Sequence, residues 1–267
     1  MQEEDVVGSV LFFRTWCREG SIMRVRMLIL LFFVVVICLV GGRLGNSLLK
    51  RLHSLRVEPV ACPSAVFPNA SAESVSILML GDSRVQLWRE PKVGAGYFVI
   101  NAAVGGYTTA QVRIQTEICG LPAADYAFVQ VGINDVYSSC FLDVDRDVVV
   151  AKAKHNIEEM ARKLSGVVRV LVLSTVAPPG TPDLIRRMYV DERLWDDVAE
   201  LNRFIVNLCR RNGYRLIDLN GLLSGHDKRR LDEKFVDRDF FLHFNEKAYG
   251  VLDIEFGRII KGEACER

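Results

Sequence analysis

The chain has 267 residues; half are hydrophobic, a quarter are charged, and the formal net charge is +1. That balance excludes a polyelectrolyte partner, and no basic block interleaved with aromatics suggests nucleic acid. The seven cysteines form no CxxC pair and no Cys/His group at zinc spacing, so neither a metal nor another cofactor is expected.

The apolar excess is concentrated near the amino terminus. Residues 27–42 read MLILLFFVVVICLVGG, sixteen positions without a charge, preceded by Arg24 and Arg26 and followed by Arg43. A spanning helix needs about 20 residues, and flanking arginines that snorkel shorten the requirement. One N-terminal transmembrane helix is therefore expected, with residues 1–26 as a tail and 43–74 as a linker. A cleaved signal peptide is the competing reading, because Met23-Arg24-Val25-Arg26 has the character of a signal n-region; no A-x-A site follows. Basic residues are balanced across the segment. A cytoplasmic amino terminus is chosen because long domains translocate regardless of nearby charge. The carboxyl-terminal domain is then extracytoplasmic, periplasmic or extracellular. In that setting Cys119 and Cys140 are candidate disulfide partners, although connectivity is not readable from sequence. Pro59, Pro63 and Pro68 break regular structure in the linker, and Asn69-Ala70-Ser71 has the pattern of a glycosylation sequon.

From Val75 onward, short apolar runs alternate with helix-like stretches. Strands are expected near 77–80, 97–101, 126–131, 167–174 and 214–218. Helices are expected near 84–89, 109–119, 147–164, 192–211 and 246–261. Asn212-Gly213 is a stop signal for the fourth of these helices. Near-continuous apolar strands in strict β-α alternation predict a single α/β domain over 75–267. Its architecture is a three-layer α/β/α, flavodoxin-like parallel sheet of about five strands.

Several strands run into polar residues of catalytic type. Gly81-Asp82-Ser83 follows the first, residues 101–109 (NAAVGGYTT) the second, and Gly132-Ile133-Asn134-Asp135 the third; residues 237–245 (DRDFFLHFN) come near the end. In a doubly wound sheet such loops share the carboxyl edge. Gly-Asp-Ser alone reads first as a turn; four blocks in register carry far more weight.

With these blocks in order and at this spacing, residues 75–260 resemble the SGNH, or GDSL-type, serine hydrolase superfamily. The resemblance implies Ser83 as the nucleophile, whose backbone amide joins that of Gly106 and the Asn134 side chain in the oxyanion hole. It implies His243 as the base. The other histidines fit less well: His53 falls in the linker, His155 in a polar helix and His226 in a charged loop. One position departs from the family pattern, which places an aspartate three residues before the histidine; here that residue is Phe240. Three readings follow: Asp239 reaches the ring, a backbone carbonyl orients a Ser-His dyad, or the site is degenerate. The first is preferred. The resemblance implies an esterase or acyltransferase using an acyl-enzyme and no cofactor. Its substrate would be a small-molecule or carbohydrate acyl ester, such as O-acetyl groups of surface polysaccharide, and its oligomeric state is open. The alternative is an inactive carbohydrate-binding or assembly module. By residue type alone, Asp82 and Asp135 read as helix-capping or loop-holding groups, and Trp88 as core.

Overall fold

The computed structural model describes residues 29–42, 45, 60, 62, 74–88, 91–237 and 240–262. The chain divides into two compact units, Met1–Glu58 and Pro59–Arg267.

In the first unit, residues 29–42 are helical, and their large apolar side chains are exposed. Among the described residues no helix is long and apolar enough to cross a membrane. The expected spanning segment, 27–42, begins outside the described residues.

The second unit is built on a strand buried on both faces. In β1 (Val75–Gly81), Leu78 and Leu80 enter one apolar core while Ile77 and Met79 enter another. Period-two alternation of this kind demands cover on each side of the sheet. The other strands are β2 (Tyr97–Asn101), β3 (Ala124–Gln130), β4 (Val168–Ser174) and β5 (Arg215–Ile217). All pair in parallel, in the order β2-β1-β3-β4-β5. This is the expected flavodoxin-like order, and each strand begins and ends within two residues of its expected position.

Seven helices of the described residues cover the sheet. The first core is closed by α2 (Thr109–Ile118), α3 (Ile133–Ser138), α4 (Arg146–Ser165) and α5 (Arg193–Asn212). The second is closed by α1 (Ser83–Gln86), α6 (Leu219–Leu223) and α7 (Glu246–Ile260). Leu194, Val198, Leu201, Ile205 and Leu208 form the buried stripe of α5 at alternating spacings of four and three, one helix face. Gly213, at φ 71°, ends it where the sequence signals a stop. Trp88 is a core residue: its ring packs edge-on against Phe128 and Phe256 at 5.4 and 5.5 Å.

Two features differ from expectation. The segment before α7 is a small antiparallel hairpin, β6 (Val236–Asp237) with β7 (Phe240–Phe244), where a loop was expected. Cys119 is bonded to Cys62, and Cys140 is a free thiol. The expected pairing of Cys119 with Cys140 is thereby corrected. Cys62 was assigned to a detached linker, but Val60 packs against the first core and brings that segment onto the domain.

Candidate active site

The register of β2, β1 and β3 brings their ends level. Met79 lies opposite Asn101 of β2, and Gly81 lies opposite Gln130 of β3. The turns leaving β1, β2 and β3 therefore meet at one edge, beside the switch point of the strand order.

Ser83 is set by the first turn. Gly81 has φ 154°, and a Cβ there would lie 2.1 Å from the Gln130 carbonyl oxygen and 2.7 Å from Val85 Cγ2, so only glycine fits. The Asp82 carboxylate then accepts from the Arg84 backbone N–H at 2.9 Å, capping α1 as its residue type suggests. Ser83 becomes the first residue of α1 and is only half-buried.

His243 reaches Ser83 from 160 residues away, with Ser83 Oγ and His243 Nε2 3.0 Å apart. The histidine lies on β7 and is also half-buried, so the pair opens to solvent. Asn245 anchors the carboxyl end of this strand. Its amide donates to the carbonyls of Lys234 and Val236, and its oxygen accepts from Lys247 and Ala248 at the start of α7. Phe240 occupies the position three residues before the histidine, and Asp239, the expected third member, lies outside the described residues.

The glycine loop runs alongside. The Ala102 and Val104 N–H groups continue the sheet ladder onto Met79 O and Gly81 O, at 2.8 and 3.1 Å. A Cβ on Gly105 would lie 3.6 Å from Ser83 Cβ and 2.7 Å from Gln86 Oε1. The backbone at this point passes directly over the serine. Gly106 follows at φ 83° in open space. Asn134 enters from the β3 turn, and its amide donates to the Tyr107 carbonyl at 2.9 Å. The amide carries a second hydrogen. Gly106 and Asn134, both expected near the serine, are thus brought to one loop.

Two residue roles were not legible beforehand. Asn101 donates to the Val85 and Trp88 carbonyls and accepts from Ala103, clamping the glycine loop to α1. Arg84 is 1% exposed although it directly follows the serine. A charged residue at the start of a surface turn gives no sequence signal of burial.

The electrostatics are those of a dry frame beneath a wet pair. Burial pushes the Asp82 carboxyl up to about 6, against the opposing pull of Arg84. Burial likewise pushes Asp135 up to about 6, against its hydrogen bonds from Thr109. The Arg84 guanidinium is lowered to about 10, again chiefly by burial. Among the described residues no cluster of three or more His, Cys, Asp or Glu could hold a metal ion. The chemistry on offer is a hydroxyl within hydrogen-bond reach of an imidazole, beside a glycine turn and a side-chain amide.

A parallel three-layer α/β/α domain with these four residue types on one sheet edge defines the SGNH class of hydrolase folds. The profile of the GDSL-like Lipase/Acylhydrolase family matches residues 80–251, and the chain belongs to this family of acyl ester hydrolases. Solved structures with this fold include a GDSL-like lipase from Bacteroides thetaiotaomicron, at TM-score 0.57 and 16% identity, covering 71% of this chain and 89% of that one. The acetylxylan esterase Axe2 from Geobacillus stearothermophilus is similar at TM-score 0.52 and 17% identity, covering 70% and 95%. The lipase/acylhydrolase from Enterococcus faecalis is similar at TM-score 0.52 and 22% identity, covering 70% and 96%. At these identities the likeness is one of fold. A search of curated proteins returns no match.

Proposed function

We propose that this protein is a serine esterase that removes O-acyl groups, or transfers them, through an acyl-enzyme on Ser83. The observation that carries this reading is the 3.0 Å contact between Ser83 Oγ and His243 Nε2. A serine hydroxyl is a poor nucleophile until a base accepts its proton, and neutral imidazole is matched to that task. In this mechanism His243 takes the Ser83 proton as the hydroxyl attacks the acyl carbon, then returns it to the leaving alcohol. Water, or an acceptor hydroxyl, repeats the sequence in reverse. The Ser83 and Gly106 amides and the Asn134 side chain face the oxyanion. Asp239 orients the ring in the complete triad; a Ser-His dyad suffices without it.

The substrate reading is an O-acetyl ester on carbohydrate, supported by the acetylxylan esterase among the proteins of like fold. We place the domain outside the cytoplasm. The Cys62–Cys119 disulfide supports that placement, because such bonds persist in oxidising compartments. The charge-free run at 27–42 is read as the export segment, retained as an anchor or cleaved.

The test is turnover of p-nitrophenyl acetate by the wild-type protein and by Ser83→Ala, with a fluorophosphonate probe mapped by mass spectrometry. Loss of turnover in the variant and labelling of wild type at Ser83 are expected. Folded wild-type protein that is neither labelled nor active would instead mark a binding or assembly module.

A further inference from the structure

Arg84 is an expensive residue to bury. Its side chain is almost completely enclosed, and a guanidinium held away from water costs several kcal/mol unless its donors are used. Nε and Nη1 are used on two segments remote in sequence, while Nη2 is buried without a hydrogen-bond partner among the described residues. Nε donates to the Leu242 carbonyl at 2.7 Å, and Nη1 donates to the Ala177 carbonyl at 2.6 Å. The guanidinium also lies over the Phe244 ring, 4.7 Å from its centroid. Leu242 and Phe244 are the two neighbours of His243. Ala177 belongs to the turn leaving β4. The arginine's own carbonyl accepts from the Tyr249 hydroxyl on α7 at 3.0 Å. One residue therefore joins the serine turn, the β4 turn, the histidine strand and α7.

From this arrangement we propose that Arg84 is the positioning residue of the site: it holds β7 against α1 so that His243 meets Ser83. The inference deepens the esterase reading and rests on it. The alternative for such a residue is general support of the core, and the contacts weigh against it. Each polar contact of the guanidinium falls on a backbone carbonyl at the site edge. None falls on the helices that close the first core. The hairpin itself is small: β6 has two residues and, among the described residues, pairs only with β7. A two-stranded ribbon is marginal by itself, so its placement depends on what it is tied to. Lysine would not substitute fully. Its single ammonium lacks the fixed fork that spans two carbonyls at once.

The experiment compares wild type, Arg84→Met and Arg84→Lys. Each is checked for fold by circular dichroism, then measured for kcat, KM and the rate of fluorophosphonate labelling at Ser83. Arg84→Met keeps the apolar packing of the stem but removes every donor. It is expected to lower kcat and the labelling rate by about tenfold to a hundredfold with KM nearly unchanged, the usual effect of misplacing a reacting group by about 1 Å. Arg84→Lys is expected to recover part of that loss. A folded Arg84→Met that is labelled at the wild-type rate overturns the proposal. Should Arg84→Met not fold, a folded Arg84→Lys with wild-type kcat and labelling rate overturns it, and a selective fall in kcat supports it. If wild type itself is not labelled at Ser83, the esterase reading fails first, and Arg84 has no reaction to position.

Discussion

The Asp135 carboxylate holds Thr109 by two bonds, accepting from its backbone N–H at 2.9 Å and from its hydroxyl at 2.6 Å. The contact joins the β3 turn to the start of α2. Asn134 precedes Asp135, and Gly106 lies three residues before Thr109, so one buried carboxylate supports both candidate oxyanion donors. Asn156 adds a bond to the Thr109 hydroxyl at 3.1 Å and ties the group to α4.

Replacing Asp135 with alanine should therefore affect stability and rate together. Two buried donors lose their partner, at a cost of about 1–3 kcal/mol each. The kcat should fall by about tenfold or more as Gly106 and Asn134 lose register. Thr109→Val keeps the N–H bond and should show a smaller loss in both. Urea unfolding and steady-state kinetics on the two variants check this ordering.

Asn134 bears chiefly on rate. Its amide already serves the Tyr107 carbonyl, so Asn134→Ala removes one bond within the loop as well as the free hydrogen. Loss of one oxyanion donor costs about 3–4 kcal/mol of transition-state stabilisation. A kcat lower by at least about a hundredfold, with KM little changed, is the expected result. An unchanged kcat would remove Asn134 from the oxyanion hole.

Asp82 and Asp135 make stability pH-dependent. In each case burial raises the folded-state value from 3.8 to about 6. The folded protein then holds a proton that the unfolded chain has already released. The stability this contributes is fully present below the unfolded value of 3.8 and is lost as pH rises to about 6. Asp82→Asn keeps the oxygen that caps Arg84 and removes one titrating group. Unfolding free energies measured by denaturant between about pH 4 and about pH 6 should fall less steeply in the variant. The difference in slope is at most about 1.4 kcal/mol per pH unit, the equivalent of one proton.

Gly81 and Gly106 should separate under the same substitution. At Gly81 an added methyl meets the Gln130 carbonyl at 2.1 Å, and the alanine variant should lose at least about 2 kcal/mol of stability. At Gly106 nothing lies within 4 Å. Alanine there should cost only about 1–2 kcal/mol of backbone strain at positive φ, and its larger effect should be on turnover. Thermal melts paired with activity assays distinguish the two.

The Cys62–Cys119 disulfide closes a loop between positions 57 apart in sequence. Reduction, or Cys62→Ser, should destabilise the domain by about 2–4 kcal/mol, because the open chain regains conformational freedom when unfolded. The bond ties the C-cap of α2, at the opposite end of that helix from Thr109. Fluorophosphonate labelling at a temperature well below the melt should therefore be nearly unaffected.

Much of the fold was legible because strand burial leaves a simple mark. Runs such as residues 77–80 and 170–173 have no polar break, and only a sheet covered on both faces accommodates several of them. The stop at Gly213 is a local event, settled by one residue and its immediate neighbours. The hairpin was not legible: β6 is too short to show a period, and its partner strand begins only three residues later. The disulfide was not legible either, since pairing depends on where Cys62 is carried after folding. The anchor expectation rested on a length close to the minimum, and part of that segment lies outside the described residues.

The sequence by itself determined the order of strands and helices, the glycine turns, and which residue types arrive at the carboxyl edge. Those follow from hydrophobic period and from backbone freedom at single positions. Ser83 began as one member of a small polar turn. Only the tertiary structure decided that His243 stands 3.0 Å from it, that Asp135 holds the loop of Gly106, and that a buried Arg84 binds the two ends of the site. Each of these is a contact between segments far apart along the chain, and a contact of that kind is fixed by packing and leaves no local pattern to read.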